Sequence, residues 1–78
     1  MRSIQAKIID NRPVCECNNC DFSPIIDYDL CNYKELKLYK FTRRCNRCDK
    51  QIHYYKTISL REKDKYYEVN ENEINILK

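Results

Sequence analysis

Two cysteine pairs, Cys17-Asn-Asn-Cys20 and Cys45-Asn-Arg-Cys48, are separated by 24 residues in a chain of 78. A two-residue spacer lets one tight turn aim both thiolates at a single ion, at about 2.3 Å each, and two such clips close a tetrahedral Cys₄ site. Soft thiolates in that geometry suit zinc, and iron accepts the same ligands. The turn after such a clip often needs a left-handed residue, which is normally Gly. This chain has no Gly; Asp21 and Asp49 follow the two clips instead, and Asp tolerates that conformation better than most side chains. The shared substitute favours Cys17 with Cys20 as the first clip over Cys15 with Cys17.

The clips matter because little else holds so short a chain together. Its Ile, Leu, Val and Met residues number 17 of 78, and a core of that size is marginal without a covalent or metallic staple. The first residues, MRSIQAKIIDNRP, contain no apolar run of signal-peptide length, and no stretch approaches the roughly 18 apolar residues of a membrane span. A cytoplasmic, reducing compartment is therefore expected, where clustered cysteines bind metal more often than they form disulfides. Ile, Lys, Asn, Tyr and Phe make up 35 of the 78 residues, the residues of AT-rich codons. That points to an AT-rich genome, bacterial, viral, phage, organellar or parasitic, and it counsels against reading every tyrosine as a binding residue.

Hydropathy patterning predicts a small, mostly-β, zinc-stapled domain spanning 1–78, with its core over about 14–69 and a tail over 70–78. In KELKLYKF, Leu36 and Leu38 alternate with Lys37, Tyr39 and Phe41. In QIHYYKTISLR, Ile52, Tyr54, Ile58 and Leu60 alternate with His53, Tyr55, Thr57, Ser59 and Arg61, the pattern of a half-buried strand. REKDK reads as a turn and KYYEV as a third strand. SIQAKII leans to β structure, and Pro24 breaks residues 21–32 into an irregular strand and turn. In the tail, Asn70 or Asn72 is a possible cap, and Ile74 with Leu77 has helical spacing, which predicts a short docked helical turn.

Two thiols lie outside the clips. Cys15 and Cys31 read first as small buried hydrophobes, with exchange of Cys15 into the metal site as the alternative. Together with His53 they supply three extra donors, one short of a second site. His53 itself is expected to face solvent or to be hydrogen-bonded. Charge is uneven: residues 1–33 carry a net of −2, residues 34–65 a net of +7 and residues 66–78 a net of −2. Around the second clip Lys40, Arg43, Arg44, Arg47 and Lys50 are candidates for phosphate contact, with Tyr39 and Tyr55 placed to stack on bases. Lysines on a strand edge also block aggregation, which is the plainer reading of the same residues.

With two knuckles on neighbouring hairpins, the chain resembles the zinc ribbon superfamily over roughly residues 14–69. FTRRCNRCDKQIHYYK resembles the second knuckle of transcript-cleavage elongation factors and of small RNA polymerase subunits. KELKLYKF and the His-containing strand are similar to small zinc-ribbon proteins of the large ribosomal subunit. The resemblance implies one structural Zn²⁺ beneath a three-stranded antiparallel sheet. It implies no transcript cleavage, because Glu35 stands alone among lysines where cleavage factors carry an acidic pair.

One histidine, no Gly-rich phosphate loop and no paired carboxylates make catalysis a poor fit. The expected function is a non-enzymatic zinc-binding adaptor whose basic hairpin contacts nucleic acid or a nucleic-acid machine such as RNA polymerase or the ribosome. The alternative is a phage- or mobile-element-encoded interaction protein that binds and inhibits a host protein, its acidic first third meeting a basic partner.

Overall fold

In a computed structural model that describes residues 3–58 and 65–77, the regular secondary structure is almost entirely β. The long alternating segments behave as their pattern requires. β4 (Asp27–Tyr33), β5 (Leu36–Arg44) and β6 (Gln51–Thr57) form an antiparallel meander, as β4 pairs β5 and β5 pairs β6. Lys34 and Glu35 close the first hairpin, with Lys34 at φ 56°. The short strands β1 (Ile4–Gln5), β2 (Lys7–Ile9) and β3 (Arg12–Val14) precede the meander, while β7 (Tyr66–Tyr67) and β8 (Ile74–Leu77) follow it. Asp10 and Asn11, at φ 51° and 59°, make a two-residue turn between β2 and β3. Positive φ at both central residues is the type I′ signature that matches strand twist.

The expected three-stranded sheet is therefore the middle of a larger, mixed one. Its order is β1-β6-β5-β4-β8, β7 also pairs β6, and β1 runs parallel to β6 through Ile4↔Ile52 and Gln5↔His53. The predicted third strand is reduced to Tyr66–Tyr67. The predicted helical tail is one 3₁₀ turn, Glu71–Glu73, capped by the Asn70 side chain, and the chain then continues as β8 along β4. Ile74 and Ile76 alternate with Asn75, so the tail satisfies a strand period as readily as a helical one, and pairing with β4 supplies partners for its backbone amides. The expected turn at REKDK and the strand positions beyond Ile58 lie outside the described residues, except for Lys65.

Directly opposite residues of antiparallel strands share a face, so the register divides the meander into two faces. The front carries Tyr28 and Leu30 of β4, Tyr39 and Phe41 of β5, and Ile52 and Tyr54 of β6. There Ile52 and Tyr54 pack with Ala6, Phe22, Cys15 and Cys45 in one core cluster. The back buries Cys31, Leu38 and Tyr55 against Val69 in a second. β6 is thus covered on both sides: Ile52, His53, Tyr54 and Tyr55 are all buried. The half-exposed strand expected from its alternation is corrected accordingly, since the ends of the chain fold over the face assigned to solvent. Gln5 fastens that cover, its amide donating to the Val69 carbonyl at 3.1 Å and its carbonyl accepting from the Val69 N–H at 2.8 Å.

A candidate metal centre

Two loops meet at the front of the sheet. In the second, between β5 and β6, the Cys45 N–H donates to the Lys50 carbonyl at 2.9 Å and the Asp49 N–H to the Cys45 carbonyl at 2.9 Å, with Asp49 left-handed at φ 63°. The first loop repeats this closure with one residue fewer. Its Cys15 N–H donates to the Asn19 carbonyl at 2.9 Å and its Asn18 N–H to the Cys15 carbonyl at 2.8 Å, with Asn18 at φ 69°. In both, the left-handed residue directly follows the second inward thiol, so the matched pairs are Cys15 with Cys17 and Cys45 with Cys48.

The sulfurs of Cys15, Cys17, Cys45 and Cys48 all lie within 4.8 Å of one another. Cys15 and Cys48 are 3.6 Å apart, as are Cys17 and Cys45. That is far beyond the roughly 2.05 Å of a disulfide. It is close to the edge of about 3.8 Å that a tetrahedron with metal–sulfur bonds of about 2.3 Å requires. The four thiols therefore fit one tetrahedral ion. The expected first clip is corrected: Cys20 is exposed and stands apart from this group, in a recess it lines with Ile9, Asp10, Arg12 and Val14, while Cys15 is fully buried within the group. The left-handed residue that had favoured Cys20 is not Asp21 but Asn18.

Polar contacts tune the cluster. Burial pushes the Cys15 thiol up to about 12, and its contacts with the Cys48, Cys17 and Cys45 thiols act in the same direction against the Cys17 N–H. Burial also opposes ionisation of Cys45. There the N–H of Cys48, the Asn19 side-chain amide at 3.3 Å, the Arg47 N–H and the Cys17 thiol outweigh it and hold the group down at about 6. Donors aimed at a sulfur favour its thiolate, the form that binds metal. The Asn19 amide also donates to the Asp21 carbonyl at 2.8 Å, so it braces one loop against the other. A surface ion pair, Lys50 Nζ to Glu16 Oε1 at 2.7 Å, spans the two loops as well. Glu16, through that bond and its charge, raises the Lys50 ammonium.

The other expected site residues are dispersed. Cys31 is fully buried in the back cluster, donates to the Leu38 carbonyl at 3.4 Å, and has its thiol pushed up by burial, as a small hydrophobe would. His53 is 4% exposed rather than solvent-facing. The Ser3 hydroxyl lies 2.6 Å from its Nδ1 and the Glu71 carboxylate meets its Nε2, so it ties both ends of the described chain to β6. It stands outside the thiol group. Arg43 is spent internally: its guanidinium donates to the Ser23 carbonyl at 2.6 Å, the Phe22 carbonyl at 3.3 Å and the Tyr54 hydroxyl at 3.4 Å, and lies over the Phe22 ring. Arg44 is exposed near Asp49, at 3.7 Å, and Arg47 is exposed on the second loop. Lys40 faces backward, directly across from Asp29. Tyr39 is half-buried on the front face. Tyr55 is 1% exposed, and burial, with Glu71 and Cys31 adding to it, pushes its phenol well above its ordinary 10.0. The expectation that Tyr55 stacks on a base is therefore corrected. Tyr28, not singled out by the sequence, is brought beside Phe41 by the pairing of β4 with β5.

Among the described residues, no helix is long and apolar enough to cross a membrane. Compared with protein-family models, with curated proteins and with solved structures, the chain matches none.

Proposed function

We propose that the chain is a non-enzymatic, zinc-stapled adaptor of zinc-ribbon type, in which Cys15, Cys17, Cys45 and Cys48 hold one structural Zn²⁺ and the front of the sheet contacts nucleic acid. The donor set supports zinc: four soft thiolates, a closed tetrahedron and no open position for chemistry. The ion supplies folding free energy, and the protein's residues do the rest.

The observation that carries the contact surface is a segregation of charge. On the front face β5 and β6 carry Lys37, Arg43 and Lys56, and neither strand contains a carboxylate. The carboxylates of β4, Asp27 and Asp29, alternate onto the back face, opposite Thr42 and Lys40. A face with one sign of charge complements a polyanion, and each lysine that meets a phosphate releases counterions. The proposed contact is therefore the sheet face and not the second loop.

Fluorescence anisotropy with labelled DNA and RNA at two salt concentrations tests the reading. Binding should weaken as salt rises, and the double variant Lys37→Ala with Lys56→Ala should weaken it further and flatten the salt slope. Absence of binding at low salt would refute it. A second reading, capture of a host protein, is favoured by the exposed Ile25 and Ile26; a pull-down lost in Ile25→Ser with Ile26→Ser would support it.

A further inference from the structure

Resting on the nucleic-acid reading, we infer that the open half of the front face is a stacking platform for the unpaired bases of a single strand. The loops of the metal centre and the residues packed on β6 cover the face only at one side, where Tyr54 is buried against Tyr66. Over β4 and β5 it stays open. Tyr28, which pairs with β5 alone, is 64% exposed, and Leu30 on the same face is 41% exposed although strands pair with it on both sides. Tyr28 is directly opposite Phe41, and Leu30 is directly opposite Tyr39. Along β5 the Tyr39 and Phe41 rings stack, with centroids 5.5 Å apart and planes 26° from parallel. Tyr28, Tyr39 and Phe41 thus lie on one face of two adjacent strands, with Tyr28 the most exposed of the three.

Charge argues for the occupant. The Lys56 ammonium lies 6.0 Å over the Phe41 ring, and Lys37 continues the row of Tyr39 on β5. Rings take bases face to face while the lysines at the margins meet phosphates, the combination that single-strand binders use. A duplex offers its phosphates but keeps its base faces inside the stack, so it gains only the electrostatic part. A protein partner would meet the same rings without needing a face free of carboxylates.

The test uses the full metal-loaded chain with one labelled oligonucleotide, presented as a single strand and as its duplex, in DNA and in RNA. The single strand should bind at least tenfold more tightly than the duplex. Tyr28→Ala should weaken single-strand binding by about tenfold, the loss of one stacked base, with the salt slope unchanged. Tyr28→Phe should retain binding and Tyr28→Leu should not, which separates stacking from apolar contact. Circular dichroism confirms that each variant folds, as exposure of the side chain implies. Equal affinity for duplex, or wild-type affinity in Tyr28→Ala or Tyr28→Leu, overturns the stacking platform; loss in the lysine variant then leaves the charged face standing. No binding of either form at low salt overturns both.

Discussion

Removing the sulfur of Cys15 should unfold the domain, whereas removing that of Cys20 should scarcely be felt. Cys15 is fully buried, with its Sγ 3.6 Å from that of Cys48, and Cys20 is exposed. A chain of this size rarely supplies more than roughly 5 kcal/mol from its core alone. Structural zinc contributes on the order of 10 kcal/mol or more. Loss of one of four ligands therefore removes a stabilisation larger than the margin that remains. An exposed substitution away from such features usually stays within about 0.5 kcal/mol.

Loss of stability in Cys15→Ser would not suffice, because burying a hydroxyl without a partner costs about 1–3 kcal/mol by itself. Cys15→Ala removes the same sulfur and buries no polar atom. If Cys15 is a ligand, both variants fail to hold one equivalent of metal and both lose the β-sheet circular dichroism. If it is only a buried thiol, Ala is milder than Ser and both keep the metal. Cobalt(II) substitution gives an independent reading, since its absorption reports thiolate ligation in a tetrahedral field. The full spectrum should survive Cys20→Ser and vanish in Cys15→Ala. The opposite pattern, with Cys15→Ala metal-loaded and Cys20→Ser empty, would refute the ligand set and restore the two-residue spacer to the first clip.

Three further outcomes are expected. On acidification the metal-loaded domain should release metal and unfold together, as followed by a metallochromic indicator and circular dichroism, because protons compete with the ion for the thiolates; the contacts that hold the Cys45 thiol below its ordinary 9.0 favour the metal-binding form, so stability falls as pH falls. Arg43→Ala should lower stability by about 1–3 kcal/mol in urea denaturation, because the carbonyls of Phe22 and Ser23 lose a charged donor, and Arg43→Lys should not restore it, since an ammonium lacks the planar fork. Asp49→Gly should raise the melting temperature by several degrees, as Gly adopts φ 63° without the roughly 1 kcal/mol cost that an L-residue bears there and the Arg44 contact it loses is at the surface.

What was legible in the sequence was the part carried by local pattern. Leu36 and Leu38 on one side of β5, and the Cys45-Asn-Arg-Cys48 loop with a left-handed Asp49, follow from spacing and side-chain chemistry alone. The strands that escaped notice pair with segments far away along the chain. β1 joins β6 and β8 joins β4, each through four residues or fewer, and so short a segment has no period of its own. The tail shows why: Ile74 and Leu77 satisfy a helix, Ile74 and Ile76 satisfy a strand, and only the open edge of β4 chooses between them. β6 misled for another reason. Tyr and His carry both an apolar body and a polar tip, so His53 and Tyr55 alternate with Ile52 and Tyr54 as though exposed, yet they lie buried on the opposite face, His53 with both ring nitrogens engaged.

The choice among Cys15, Cys17 and Cys20 turned on a subtler degeneracy. The stretch CECNNCD offers a left-handed candidate after either possible second ligand: Asn18 after Cys17, and Asp21 after Cys20. Asn is at least as tolerant of that conformation as Asp, so the local signal is balanced, and the matching two-residue spacer of the other clip tips it the wrong way. The tie is broken by what precedes the loop. Asp10 and Asn11 turn β2 back into β3, which ends at Val14 and delivers Cys15, already buried, beside β6. With the first sulfur placed there, closure at Asn18 brings Cys17 inward, and Asn19 spends its side chain holding Cys45 and Asp21. Cys20 is by then past the turn and heading away. The ligand set is thus decided by a hairpin outside the motif, which predicts that lengthening the Asp10-Asn11 turn by one residue will weaken metal binding even though no cysteine is touched; unchanged metal affinity in such an insertion, measured by competition with a chelator, would show that the loop closes independently of β2 and β3.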